Sequence, residues 1–398
     1  MPDVCFYFQV HQPWRLRRYG VFDIGRSREY FDEQANEAIL RKVADKCYRP
    51  MNALLESLVA EHAGRFKCAF SITGTALDQL ERYAPDVIAS YQRLAASGCV
   101  EFLGETYHHS LAGVACPEEF AQQVALHSAR VEQLLGQRPR VFRNTELMLH
   151  DSLAERIAAL GFRGVLAEGV ERVLGWRSPN FVYASRPAPA LRVLCKNYRL
   201  SDDIAFRFGD RGWSEHPLSV EKFAGWVHAV NGCGTSVNLF MDYETFGEHQ
   251  WAETGIFEFM RRLPAAILDH ADGGFATPSE AIAKHDAAGT VEFRDWVSWA
   301  DTERDLTAWL GNPMQRAALD QLLALRAPVV ASGDAELLET WRRLSTSDHL
   351  YYMCTKYFAD GDVHKYFSPY ESPYEAHIAF MNVLADLAQR VKAQSPST

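Results

Sequence analysis

Short runs rich in β-branched and aromatic residues alternate with longer stretches of helical periodicity, an alternation that fits parallel strands joined by crossover helices. The runs are Val4–Gln9, Lys67–Ile72, Val100–Leu103, Val141–Arg143, Gly164–Ala167, Leu191–Cys195 and Ser236–Phe240. Between them Asn52–Ala63, Pro85–Ser97, Pro117–Leu135 and Ser152–Leu160 have helical spacing of apolar residues. From Leu306 the pattern changes, because Ala308–Leu325, Asp334–Ser345 and Pro373–Lys392 read as helices with no strand between them. The sequence therefore predicts an α/β unit over residues 1–305 and a helical subdomain over residues 306–398 packed against it. No internal repeat, low-complexity tract or long linker separates the two, and 398 residues suit one extended unit with an appendage.

Charge and composition narrow the partners. A net charge of −10 disfavours a phosphate backbone, so no nucleic acid is expected, and neutral substrates stay open. No apolar stretch is long enough to span a bilayer, so no membrane association is expected. The start, Pro2-Asp3 followed by Val4–Phe8, has an acid where a secretory signal carries basic residues and reads as a buried strand, which predicts a cytoplasmic location. Eight cysteines lie scattered without the close pairs of a zinc site; reduced thiols, no metal and no other cofactor are expected. The number of subunits is left open.

Polar residues just past the strands carry the functional signal, because barrel active sites are assembled at that face. The first run leads into His11-Gln12-Pro13-Trp14 and the third into Gly104-Glu105-Thr106-Tyr107-His108-His109. Val141–Arg143 ends in Asn144-Thr145-Glu146, and Ser236–Phe240 leads through Met241 into Asp242-Tyr243-Glu244 and on to His249-Gln250-Trp251. In the helical region Ser347-Asp348-His349-Leu350-Tyr351-Tyr352-Met353 is an acidic and aromatic cluster placed to close a cleft. Cleaving an acetal near neutral pH asks for two carboxyls in different protonation states, and Glu146 with Asp242 supply such a pair. Sugar rings stack their C–H faces on aromatic side chains, work for which Trp14, Tyr107, Tyr243 and Trp251 are suited. Plainer roles stand beside these: His11 as a core histidine, His108 and His109 facing solvent, Trp14 and Trp251 filling the barrel mouth, Glu105 and Glu244 orienting the pair, Asp348 capping a helix.

In their order along almost the whole chain, these five segments resemble the five sequence regions of glycoside hydrolase family 57. The resemblance implies an incomplete (β/α)7, TIM-like barrel followed by a C-terminal α-helical bundle, with no metal in the chemistry. It places Glu146 at the nucleophile and Asp242, within Asp-x-Glu-x-Phe-Gly, at the general acid/base of a retaining glycosidase. The substrate implied is an α-glucan or maltooligosaccharide, with His11, Gln12, Trp14, Glu105, His108, Tyr243, Glu244, His249, Trp251 and Asp348 expected to bind it. Phe246–Trp251 and Phe367–Tyr374 are similar to the α-amylase subgroup, although other members carry His-Trp-Trp after that Phe-Gly. An α-amylase is expected. The alternatives are a 4-α-glucanotransferase or branching enzyme of the same family and a non-catalytic glucan-binding protein. A metal-dependent deacetylase or mannosidase would need an Asp that His11-Gln12-Pro13 lacks.

Overall fold

A computed structural model describes residues 2–356 and 368–394; Phe367, one of the subgroup residues named above, lies outside the described residues. The first strand, β1 (Asp3–Val10), is buried along its whole length, as a near-continuous apolar run predicts for a strand covered on both faces. It pairs in parallel with β2 (Cys68–Ile72) on one side, and β2 pairs with β3 (Val100–Phe102). A second sheet contains β4 (Val141–Arg143), β5 (Gly164–Glu168), β6 (Val182–Ser185) and β7 (Arg192–Lys196), while β8 (Ser236–Asp242) returns to the far side of β1. Two-residue strands β9 (Gly274–Phe275) and β10 (Thr290–Val291) pair with β1 and β6. Among the strands of the described residues, only β6 runs antiparallel to its neighbour, β7.

The two sheets are joined at two seams. At the first, the Gly104 amide donates to the Val141 carbonyl at 2.9 Å and the Arg143 amide to the Gly104 carbonyl at 2.8 Å. At the second, the Asn197 amide donates to the Asn238 carbonyl at 2.9 Å. Strands β1, β2, β3, β4, β5, β7 and β8 thus follow one another around a ring, continuous along the ladders and held by a few bonds at the seams. These seven are the runs expected from the sequence. The strand β6 was not, being four residues between turn-forming segments that contain Pro179 and Pro187.

After β10 an irregular stretch leads to Thr307, from which the described chain is mainly helical. Asn312 and Gln315 form a capping box with Pro313 in the first turn, starting the helix Pro313–Ser332. Ala335–Leu344, Ser347–Tyr351 and Pro373–Gln394 follow. Their apolar faces meet around Trp309, Trp341, Phe380 and Leu387, and the same cluster takes in Leu16, Tyr30, Leu111 and Met148 from the loops after β1, β3 and β4. The helical region therefore packs on the carboxy-terminal face of the strands. No helix among the described residues is long and apolar enough to cross a membrane.

Candidate active site

A cleft of about 1210 Å³ opens over the carboxy ends of β1, β4, β7 and β8 and is lined by His11, Gln12, His109, Glu146, Asp242, Glu244, His249, Trp299 and Asp348, among others. Glu146 enters it from the turn that ends β4. Its backbone is left-handed (φ 55°, ψ 28°), and so is that of Leu147 (φ 52°). Two successive non-glycine residues in that region are costly and persist only when the surroundings fix them. Here the Leu147 amide donates to the Asn144 carbonyl at 2.9 Å, the Trp299 amide to the Glu146 carbonyl at 3.1 Å, and the Asn144 side chain to the Met148 carbonyl at 3.0 Å.

The Glu146 carboxylate has a partner on each oxygen. His109 Nε2 lies 2.9 Å from Oε1, and the Trp299 indole N–H donates to Oε2 at 2.6 Å. His109 Nδ1 in turn lies 3.3 Å from Glu105. Burial works against a charged imidazole, but the bonds to Glu105 and Glu146 overcome it and lift His109 to about 9. With His109 cationic, both its ring N–H groups donate to carboxylates. Burial likewise opposes a charged Glu146; the bond and charge of His109, then the Arg143 guanidinium, hold this carboxyl below its ordinary range.

Asp242, the last residue of β8, shows the reverse. Burial, followed by the charge of Glu146, pushes it up to about 6, and the cations Arg143, Lys196 and His109 only partly oppose this. Glu244 is raised further, to about 8, by burial and by Asp242, and the Tyr48 hydroxyl donates to it. One cleft thus holds an ionised carboxylate and a carboxyl that keeps its proton into mildly acidic solution, the division of labour that acetal cleavage requires.

His11 stacks on His109 with centroids 4.0 Å apart. Burial and then the positive His109 lower it, so the neutral ring accepts from Thr73 (3.0 Å) and donates to Asp348 (2.9 Å). Asp348 does not cap its helix: the cap position belongs to Thr346, and the Asp348 carboxylate faces His11. Although buried, it is held well below the usual carboxylate range by His11. Gln12 lines the cleft and accepts from Arg15 at 3.1 Å.

Five expected contacts are placed otherwise. Trp14 is 2% exposed, against Tyr83 and under the Arg343 guanidinium (4.4 Å), so it fills the mouth rather than facing the cleft. Tyr243 is wholly buried with its hydroxyl donating to Asn52 at 2.6 Å, because successive residues leaving β8 point to opposite sides and Asp242 takes the cleft side. His108 is buried beside Tyr107, 3.6 Å from Glu339, and reaches neither cleft nor solvent. Glu105, also fully buried, sits behind His109 rather than on the lining. Trp251 is 62% exposed and outside the lining residues. Trp299 was not anticipated: it comes from an irregular stretch after β10 with no strand or periodic signal to flag it. His109 lay within a noted segment, yet nothing in the sequence separates it from His108. Among the described residues no group of three or more His, Cys, Asp or Glu is arranged to hold a metal ion.

The sequence profile of glycosyl hydrolase family 57 matches residues 5–294. A protein of Methanocaldococcus jannaschii named "Putative alpha-amylase" is 38% identical over 402 residues, covering 98% of this chain and 85% of its own. Among solved structures, a branching enzyme of the same family type from Pyrococcus horikoshii aligns over 96% of this chain and 88% of its own, with TM-score 0.69 at 15% identity. The 4-alpha-glucanotransferase of Thermococcus litoralis aligns over 90% of this chain with TM-score 0.60 at 16% identity. This chain spans only about half of that enzyme, 52% of its length. At such identities the two structures share the fold with this chain and say nothing finer.

Proposed function

The chain belongs to glycosyl hydrolase family 57, and from that premise we propose that it is an α-amylase cleaving α-1,4-glucosidic bonds of α-glucans with retention of configuration. Glu146 is the nucleophile and Asp242 the general acid/base in this reading. The observation that carries it is the opposite displacement of the two carboxyls, Glu146 held below its ordinary range and Asp242 pushed up to about 6.

Glu146 attacks the anomeric carbon as the bond to the leaving oxygen breaks, and Asp242 gives that oxygen its proton. The resulting ester neutralises Glu146. Its charge is the second cause, after burial, of the raised Asp242, so losing it lowers Asp242 and keeps that carboxylate ionised, ready to accept a proton, at the moment when water must be activated. Water then attacks the same carbon, gives its proton to Asp242 and frees Glu146. The barrel over residues 1–305 is the catalytic unit, and the helical region over residues 306–398 completes the cleft through Asp348.

The test is incubation with maltoheptaose, following product lengths and reducing ends beside Glu146→Gln. Shorter products with new reducing ends, absent in the variant, are expected. Longer products at constant reducing ends would make the enzyme a transferase, and an unchanged substrate would leave a glucan-binding protein.

A further inference from the structure

Arg143, the last residue of β4, is fully buried beneath the cleft, and none of its three side-chain nitrogens has a hydrogen-bond partner among the described residues. Its guanidinium carbon lies 4.8 Å from the centroid of the Trp299 ring, and Lys196 Nζ lies 5.4 Å from the same ring. That ring holds the indole N–H that donates to Glu146 at 2.6 Å. A guanidinium without hydrogen bonds is among the most expensive groups to bury, and stability alone favours an apolar side chain of similar length. What the charge does supply is a field in a crowded site. Glu105 and Glu146 are two buried anions, His109 is one cation, and Arg143 is the second, so the four balance, and Lys196, the other cation acting on Asp242, is itself paired with Asp202 at 3.0 Å.

We propose that Arg143 is a positioning residue for the cleavage: it braces Trp299 against Glu146 from below and balances the buried charge so that the nucleophile is an anion. The assignment rests on the roles proposed for Glu146 and Asp242, but its geometry does not. The groups that act on Glu146 are His109 and, behind it, Glu105 from the loop after β3; Asp242 on β8; Trp299 from the loop after β10; and Tyr351 from the helical region. Lys196 on β7 acts on Asp242.

The experiment reads Glu146 without substrate. The difference in tryptophan fluorescence between the wild type and Trp299→Phe isolates Trp299, and its acid transition, absent in Glu146→Gln, follows the carboxylate bonded to the indole. In Arg143→Met the midpoint is expected to rise by about one pH unit or more, the effect of losing an opposite charge at short range. Arg143→Lys, which keeps the charge, is expected to stay within a few tenths of the wild type. With α-glucan as substrate, both limbs of the kcat/KM profile should move to higher pH in Arg143→Met, since losing a cation raises Glu146 and Asp242 alike. A merely structural arginine would lower Tm and leave the midpoint and both limbs in place. An unchanged midpoint in Arg143→Met overturns the proposal, as does an equal displacement in Arg143→Lys. Should Arg143→Met not fold, Arg143→Gln is read in the same way. If the wild type cuts no α-glucan, the proposed function fails while the fluorescence midpoint still decides the role of Arg143.

Discussion

Glu146 and Asp242 are chemically near-identical groups in one cleft, and their neighbours alone send them in opposite directions. Glu146 is gripped by donors on both oxygens; Asp242 has burial and a like charge to contend with. Activity through this pair needs Glu146 ionised and Asp242 protonated, so the kcat/KM profile should be a bell. Its basic limb should lie near pH 6, where Asp242 loses its proton, and its acid limb below the ordinary carboxylate range, where Glu146 gains one. A pH–rate series on maltoheptaose checks this, and a basic limb near 9 would instead implicate His109. Asp242→Asn should lower kcat by about 10²–10⁴-fold, the usual worth of a positioned general acid. It should also remove the basic limb while leaving Tm close to wild type, because the amide keeps the size and sheds a charge that burial disfavours. Steady-state kinetics with a thermal melt reads both.

The strands were the most legible elements, since β1, β2 and β5 are buried throughout and β8 in all but its last residue, and a continuous apolar run has no other home in a domain of this size. The seams were not legible, because each depends on one or two backbone bonds between residues distant in sequence. Gly104 shows what a seam demands. A Cβ built there would lie 2.6 Å from the Phe162 ring, so only hydrogen lets the chain after β3 come close enough to bond Val141 and Arg143. Gly104→Ala should therefore destabilise the protein by about 1–3 kcal/mol, the usual cost of overpacking a filled interior. Urea unfolding measures it, and Phe162→Leu added to Gly104→Ala should recover part of the loss if the ring contact is the cause. The same distinction explains the candidate site. Residues on or directly after strands, Glu146 and Asp242, could be placed by counting from a β run. The alternation beyond the strand end that buries Tyr243 and turns Asp242 to the cleft could not, because it depends on how the following turn begins.

Across the whole molecule the site is assembled from two parts of the chain, the barrel and the helical region whose Ser347–Met353 cluster was expected to close the cleft. The helical region does more than cover the barrel: the Ser347 amide donates to the carbonyl of His109 at 2.9 Å, and Asp348 accepts from His11, which stacks on His109. His109 has a left-handed backbone (φ 51°), and the bond from Ser347 is one of the contacts that fix it there, directly behind the Glu146 carboxylate. Trp299 and the contact between His11 and Asp348, two residues expected at the cleft, escaped sequence analysis for one reason: each is defined by a contact between segments with no relation in periodicity or spacing. The pair gives a test of the coupling. Asp348 is held well below the ordinary carboxylate range, so it contributes stability that is present above the unfolded pKa near 4 and is lost as the pH falls from there toward the folded value. Asp348→Asn removes the charge-assisted bond and should lower stability at pH 7 by about 1.5–3 kcal/mol, the range for a hydrogen bond to a charged group. Urea unfolding of both proteins at pH 7 and pH 3 should show a gap that narrows in acid, where the unfolded wild type takes up a proton that the folded Asp348 carboxylate does not. A gap of constant size would mean that the amide costs packing rather than charge, and that the helical region does not hold the histidines electrostatically. A fall in kcat at pH 7 beyond the fraction unfolded would connect the pair to the position of His109, and through it to Glu146.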